Sequence, residues 1–260
     1  MINFDIDYES YFYENKLDVL LDVEYSNEDT YAPDFIFNAE GGDPIRPECD
    51  DLIRLHYIIR SRKILTVLEL GVGWSSLVMA DALRQNLEEY GDVLPENLRR
   101  VDPFTLYVVD TEEKYLEVTA QNMSEVLRNR TEFHLSSSQV TTFDGRICGQ
   151  LDSIPNVCPD FIYSDGPSFR SMKGAVKGLN MDHQDRTIIT GDLLLMEPLL
   201  LPRTLILFDG QTNNARWHMR NFQRNWDCKH FLSEDVTVFE LMEEPLGIYN
   251  AAQLAFQELI

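Results

Sequence analysis

Apolar residues in this chain gather into short continuous runs, separated by stretches in which they recur every three or four positions. The first clear run, residues 64–70 (ILTVLEL), predicts a strand buried on both faces, and it ends in Gly71 and Gly73. The pattern after it puts Leu77, Ala80, Leu83 and Leu87 on one side of a helix. A Pro-containing connection, 91–103, leads to a second strand, Thr105–Val109, which ends at Asp110. Leu116, Ala120, Met123 and Leu127 then predict one helix over 112–128, followed by a short third strand over 132–136. Residues 145–158 give a weak pattern. A fourth strand, 161–164, runs into Asp165-Gly166-Pro167, and a helix is expected over 191–200 with Pro202 as its stop. A fifth strand, 205–208, ends in Asp209-Gly210. The helix after it is predicted to align Ala215, Met219, Phe222 and Trp226, and strands over 228–232 and 235–241 form a closing pair.

Upstream of the first strand the pattern is less regular. A helix is expected over 9–22, and Asp50 or Asp51 can cap another whose Leu52, Leu55 and Ile59 share a face. Residues 25–48, with Gly41-Gly42 and three prolines, read as irregular. Tyr8, Tyr11, Phe12, Tyr13, Tyr31, Phe35 and Phe37 make the region too apolar for a free tail. Residues 1–60 are therefore expected as an N-terminal, partly helical extension that caps a main domain over 61–260.

Strands that alternate with amphipathic helices imply an α/β fold: a Rossmann-like, mostly parallel, seven-stranded sheet with helices on both faces. Ligands of such sheets bind beyond the carboxyl ends of the strands. Three of those ends carry Asp110, Asp165 and Asp209, and Glu69 stands just before the glycine turn. A dinucleotide is a poor match for this edge. Its fingerprint wants a third glycine where Ser76 stands and an acid about 20 residues on, and a pyrophosphate gains nothing from Glu69 beside the loop.

Charge narrows the partners further. The formal net charge is −22, and half of it lies in residues 1–60, where 15 acids face 4 Lys and Arg. A surface that tracks nucleic-acid phosphates needs clustered cations, so nucleic acid is not an expected partner. The longest apolar stretch, Leu193–Leu201, is interrupted by Glu197 and Pro198, and no membrane span is expected. The N-terminal MINFDIDYES lacks the features of a secretory signal. Cys49, Cys148, Cys158 and Cys228 are scattered, so neither a zinc site nor a disulfide frame is expected, and the expected setting is the reducing cytoplasm.

The segments ELGVG (69–73), VVD (108–110), DFIYSDGP (160–167) and LILFDG (205–210) together resemble the class I S-adenosylmethionine-dependent methyltransferases. The resemblance runs over about 60–260 in the family's order, closing strand pair included. It implies that Glu69, Gly71, Gly73, Trp74 and Ser75 hold the methionine part of the cofactor. It further implies that Asp110 and Thr111 meet the ribose, that Ser137 and Ser138 in the serine run 136–138 meet adenine, and that Asp165 borders both cofactor and reacting centre. Acid-rich loops suit the ammonium and sulfonium of this cofactor, and a carboxylate such as Asp110 can accept from both ribose hydroxyls. The chain departs from the family where Trp74 or Ser75 replaces a third glycine; Trp74 either shields the methionine part or packs under the N-terminal region. The Asn-Pro-Pro-Tyr signature of amino-methylating relatives is absent, and Ser164-Asp165-Gly166-Pro167 fits O-methylation of a small molecule or sugar precursor better.

Methyl transfer to an alcohol needs in-line approach and a route for the hydroxyl proton. Asp165, His183 and Asp209 are the candidate catalytic residues. The two aspartates also resemble the carboxylates of the divalent-metal O-methyltransferases, which makes Mg²⁺ a candidate cofactor. That branch has Asn after the second Asp, whereas Gly210 stands here and Thr212 or Asn213 reads as a helix cap. His183 lies in a polar connection suited to acceptor binding; His218 is the second choice of base, and His56, His134 and His230 look structural. Arg170, Lys173 and Lys177 either bind an anionic acceptor or balance local charge. A homo-oligomer stays open. So do two other functions: a catalytically silent relative acting through its acidic N-terminal region, and, on weaker grounds, an NAD(P)-binding oxidoreductase.

Overall fold

The first apolar run forms β1 (Thr66–Leu70), and every residue in it is buried. A strand this apolar must be covered on both faces, and it sits at the centre of a seven-stranded sheet. This computed structural model describes residues 2–27, 48–166, 172–183, 185 and 187–259. The other strands are β2 (Thr105–Asp110), β3 (Thr131–Leu135), β4 (Ser138–Phe143), β5 (Arg146–Leu151), β6 (Phe161–Ser164), β7 (Leu205–Asp209), β8 (Trp226–Phe231) and β9 (Val236–Leu241). The sheet order is β3-β2-β1-β6-β7-β9-β8. Strands β1, β2, β3, β6 and β7 run parallel, and β9 runs antiparallel to both its neighbours. The fold is thus Rossmann-like, and its order reverses between β1 and β6, the place where open α/β sheets form their crevice.

Helices α1 (Tyr8–Glu14), α2 (Leu17–Leu21) and α3 (Cys49–Ser61) precede β1. Then come α4 (Trp74–Tyr90), α5 (Glu113–Asn122), α6 (Glu125–Arg128), α7 (Asp192–Met196), α8 (Thr212–Asn221) and α9 (Gly247–Phe256). One face of the sheet packs Val67, Val108, Tyr163 and Leu207 against residues of α3 and α4, among them Ile58, Ile59, Ala80 and Leu83. The other packs Leu68, Val109, Ile162 and Phe208 against Leu193 and Met196 of α7 and Ala215 of α8. The N-terminal helices form a third cluster, Phe12, Leu17 and Leu21 with Leu52, Ile53 and Val78. They are also pinned by polar contacts, since Tyr11 Oη pairs with buried His56 Nδ1 at 2.8 Å and His56 Nε2 lies 3.5 Å from Asp81.

Several sequence expectations are corrected. The helix over 9–22 is two helices, because Lys16 takes a left-handed conformation (φ 56°) between them. Glu48, not Asp50 or Asp51, is the residue before α3; both aspartates lie in its first turn, where they complement the helix dipole. The single helix over 112–128 breaks at Met123, whose backbone is extended, and Ser124 caps α6. Met219 is exposed and Trp226 belongs to β8, so α8 buries Asn214, Ala215, His218 and Asn221 instead. The helix over 191–200 is α7 followed by a tighter turn at Glu197–Leu199. The weak pattern of 145–158 hides half of a hairpin, β4–β5, and α9 follows the closing strands. Residues 28–47 of the irregular segment, with Tyr31, Phe35 and Phe37, lie outside the described residues.

Gly71 and Gly166 meet at the reversal point. Gly71 has φ 111°, and a Cβ placed on it would lie 3.0 Å from the Gly166 nitrogen. A Cβ on Gly166 would lie 2.8 Å from Gly71 Cα. The contact is held by Leu70 O, which accepts from Asp165 N at 3.0 Å and Gly166 N at 2.7 Å. Gly73 differs: its backbone is extended, and a Cβ there would meet nothing within 4 Å. Gly71→Ala and Gly166→Ala should each lose about 1–3 kcal/mol of stability in urea unfolding, whereas Gly73→Ala should stay within about 0.5 kcal/mol of the wild type. Equal losses at all three positions would contradict this packing.

Candidate functional site

Strand register brings the four acids together. Leu70 pairs with Val109 and Ser164, and Ser164 pairs with Phe208. The next residue on each strand forms the next row: Asp110, Gly71, Asp165 and Asp209, in spatial order β2-β1-β6-β7. At the usual strand spacing this row spans roughly 14 Å. Side chains alternate between faces, and Val67, Val108, Tyr163 and Leu207 all belong to the face covered by α3 and α4. Glu69 and the three aspartates share their parity, so all four carboxylates belong to that face.

Glu69 is the innermost of them and is fully buried. Its two oxygens accept from Ser75 Oγ and Ser76 Oγ, each at 2.5 Å. Those serines belong to the first turn of α4, so Glu69 fixes the helix start relative to β1. Burial pushes its carboxyl up to about 8, with Asp165 and Asp110 adding to the rise and the two serines opposing it. Asp110 is also buried; one oxygen accepts from Glu112 N at 2.8 Å, and burial raises its pKa above the usual range. Thr111 follows it at the strand end, half-buried.

Asp165 and Asp209 stand on neighbouring strands. Asp209 Oδ2 accepts from Tyr163 Oη at 2.8 Å. Burial raises Asp209, while the Tyr163 hydrogen bond and the Arg54 guanidinium pull it back and Glu48 and Asp235 push it up. Asp165 is raised by the protein crowded around it, then by Asp209, Glu48 and Asp110. Its side chain remains open to solvent at the mouth, so water screens part of that push. Glu48 immediately precedes α3 and Arg54 lies on it, so the start of α3 borders the mouth; Arg54 is itself paired with Asp51.

The remaining sequence candidates divide. Trp74 is half-buried and packs against both the main core and the N-terminal cluster. Ser137 Oγ donates to Asp152, and Ser138 is buried at the start of β4 with no described partner for its hydroxyl. His183 is exposed, and the side-chain contacts described for it are with Asp185: the Asp185 backbone N–H donates to Nδ1 at 3.2 Å. No described contact joins it to the rim acids. His218 is a core residue, fully buried beside Phe208 and Phe222, with Nδ1 on Asn214 O and a pKa pushed by burial down to about 4. Neither Thr212 nor Asn213 caps α8, since Gln211 precedes it and no side-chain cap forms; Asn214 instead ties the helix to Thr190. Lys173 and Lys177 are exposed, and Arg170 and Pro167 lie outside the described residues.

The fit to Mg²⁺ is poor. One oxygen of Asp209 is taken by Tyr163, Gly210 occupies the position of the expected Asn, and among the described residues no group of three or more His, Cys, Asp or Glu could hold a metal ion. Four residues escaped the sequence analysis: Ser76, Tyr163, Gly166 and Arg54. Tyr163 stands two residues before Asp165, so strand alternation places it on the same face as the acids, and Gly166 stands next to Asp165 in the turn. Ser76 and Arg54 depend on contacts between elements that no local pattern reveals.

Fold and rim define an open α/β protein with a row of acids at the carboxyl ends of its strands. No protein-family model matches the chain, and no curated protein matches it in sequence. Among solved structures it is similar to the O-methyltransferase TomG from Streptomyces achromogenes, involved in tomaymycin synthesis and solved with SAM. Identity is 15%, covering 92% of this chain and 100% of that one, with a TM-score of 0.44. It is also similar to the SAH-bound Podospora anserina methyltransferase PaMTH1, at 12% identity over 94% and 99% of the two chains, with a TM-score of 0.45. The O-methyltransferase from Bacillus cereus in complex with SAH gives 12% identity, 94% and 93% coverage and a TM-score of 0.37. Likeness at this level assigns no activity.

Glu69 supplies a test of the rim's electrostatics. Its folded pKa lies above its unfolded one, so the folded state binds the extra proton and the stabilising contribution is lost as pH rises from about 4.5 to 8. Glu69→Gln removes that titration. The stability of the variant relative to wild type should therefore climb across this window and level off above it. A difference independent of pH, measured by urea unfolding, would contradict the burial described.

Proposed function

We propose that this chain is an S-adenosylmethionine-dependent methyltransferase acting on an oxygen of a small molecule or sugar precursor. The observation that carries the proposal is the single row Asp110-Gly71-Asp165-Asp209 on one face at the carboxyl edge, with Glu69 behind it. An uncompensated acidic rim favours a ligand with positive groups and no phosphate. This cofactor carries an ammonium and a sulfonium, and when bound it supplies an electrophilic methyl group that leaves a neutral thioether behind.

The roles follow from position. Asp110, oriented by the Glu112 amide, accepts from the ribose hydroxyls. The turn Gly71–Gly73 and the first-turn amides of α4, with Trp74 and Ser75, face the methionine carboxylate, and the open side of Gly73 leaves room for close approach. Glu69 acts through the serines it holds. Ser137 and Ser138, with Thr111, line the nucleoside side. Asp165 and Asp209 border the reacting centre and take the acceptor's proton, with carboxyls raised above the usual range and thus stronger as bases. Their contact with each other's field favours them over exposed His183. Helices α1–α3 cap the acceptor side, with Glu48 just before α3 and Arg54 on it at the mouth.

Calorimetry with S-adenosylhomocysteine tests the proposal directly: binding is expected, and NADH should not bind. Asp110→Ala should weaken S-adenosylhomocysteine by about 1–3 kcal/mol through lost hydrogen bonds to a charged group. Gly73→Ala should weaken it without loss of stability. Absence of binding to the wild type would remove the proposal. Binding without turnover across a panel of hydroxylated acceptors would favour the catalytically silent alternative.

A further inference from the structure

We infer that Tyr163 is a positioning residue that makes Asp165 and Asp209 unequal, holding Asp209 as the standing carboxylate and leaving Asp165 as the partner that takes up a proton. The use of this inequality in catalysis rests on the methyl-transfer proposal; the inequality itself does not. Tyr163 sits on β6 two residues before Asp165, and its register partner Leu207 sits two residues before Asp209. The phenol is 3% exposed, so its hydroxyl must find its acceptor inside the protein. That acceptor is Asp209 Oδ2, at 2.8 Å. Burial and the surrounding acids drive the ionisation of Tyr163 far above its ordinary value, which makes it a permanent donor.

A hydrogen bond donated to a carboxylate favours the charged form. The groups facing Asp209 are Tyr163 and Asp165 from β6 and its end, Glu48 just before α3, Arg54 on α3, and Asp235 from the turn before β9. Tyr163 and Arg54 favour its charge, and the three acids oppose it. The charges facing Asp165 are Asp209, Glu48 and Asp110, all of one sign. One proton entering the pair is therefore steered to Asp165. Two identical carboxylates on adjacent strands would share it; the tyrosine on one side breaks the symmetry.

The experiment is a carbon-13 NMR titration of the aspartate Cγ signals, assigned by their loss in Asp165→Asn and Asp209→Asn. In the wild type the Asp165 signal should carry the higher-pH step and the Asp209 signal the lower one. Tyr163→Phe should raise the proton affinity of Asp209 about tenfold and spread the higher step over both signals. Replacement of Tyr163 by 3-fluorotyrosine keeps the ring and strengthens the donor, so it should move Asp209 in the opposite direction even if the phenylalanine variant folds poorly. Asp209 carrying the higher step in the wild type, or a titration unmoved by both replacements, overturns the inference. Calorimetry with S-adenosylhomocysteine on the same proteins keeps the two ideas apart. Unequal titration without binding would retain this inference and remove the methyl-transfer proposal, and binding with equal titration would do the reverse.

Discussion

Two backbones pressed together at Gly71 and Gly166 set the geometry on which the site depends. The contact lies where the order of parallel strands reverses, and it joins the turn after β1 to the turn after β6. Leu70 O holds both sides by accepting from Asp165 N and Gly166 N. Because Asp165 is one residue from the contact and Glu69 two residues from it, the acids inherit their positions from the backbone rather than from side-chain packing. Any side chain at either glycine would push the turns apart, and with them the spacing between Glu69 and Asp165.

The opposite edge of the same sheet handles charge differently. There Asp160 accepts from Leu65 N, Thr66 N and Gln257 Nε2, so a buried carboxylate is saturated with donors and serves to tie α9 to the strand starts. Glu240 is likewise paired with Arg62 and Arg203. At the carboxyl edge the acids face one another, and Glu69, Asp110, Asp165 and Asp209 are all pushed toward their neutral forms. Unfavourable electrostatics concentrated at one rim, with compensation complete at the other, is the distribution expected of a scaffold that carries a binding site.

Much of this was legible in the sequence. The sheet strands announce themselves through continuous apolar runs, since burial on both faces leaves no place for polar residues. The acids at their ends were visible as Asp110, Asp165 and Asp209, and one register then aligned them. What escaped depended on contacts distant in sequence or on single backbone conformations. Lys16 splits a helix by adopting positive φ, which its neighbours do not betray. Hairpin β4–β5 hid because β4 alternates polar residues such as Gln139 and Thr141 with few apolar ones. The helix after β7 was read one step out of phase because Asn214 and His218, both polar, face inward where Met219 was expected. The tyrosine beside Asp209 drew no notice in the sequence, since an aromatic residue in a buried strand looks like core.

Hairpin β4–β5 carries one more consequence. Its outer edges are both occupied, β4 by Lys173 through Val140 N and Ser138 O, and β5 by residues 189–191 through Gly149. A two-stranded ribbon with open edges recruits strands from other molecules, and here the base of each outer edge is already taken. Its tip, Asp144-Gly145 with both residues at positive φ, has no such cover among the described residues. The ribbon can therefore vary in reach at that tip while its base stays locked to the chain that follows β6.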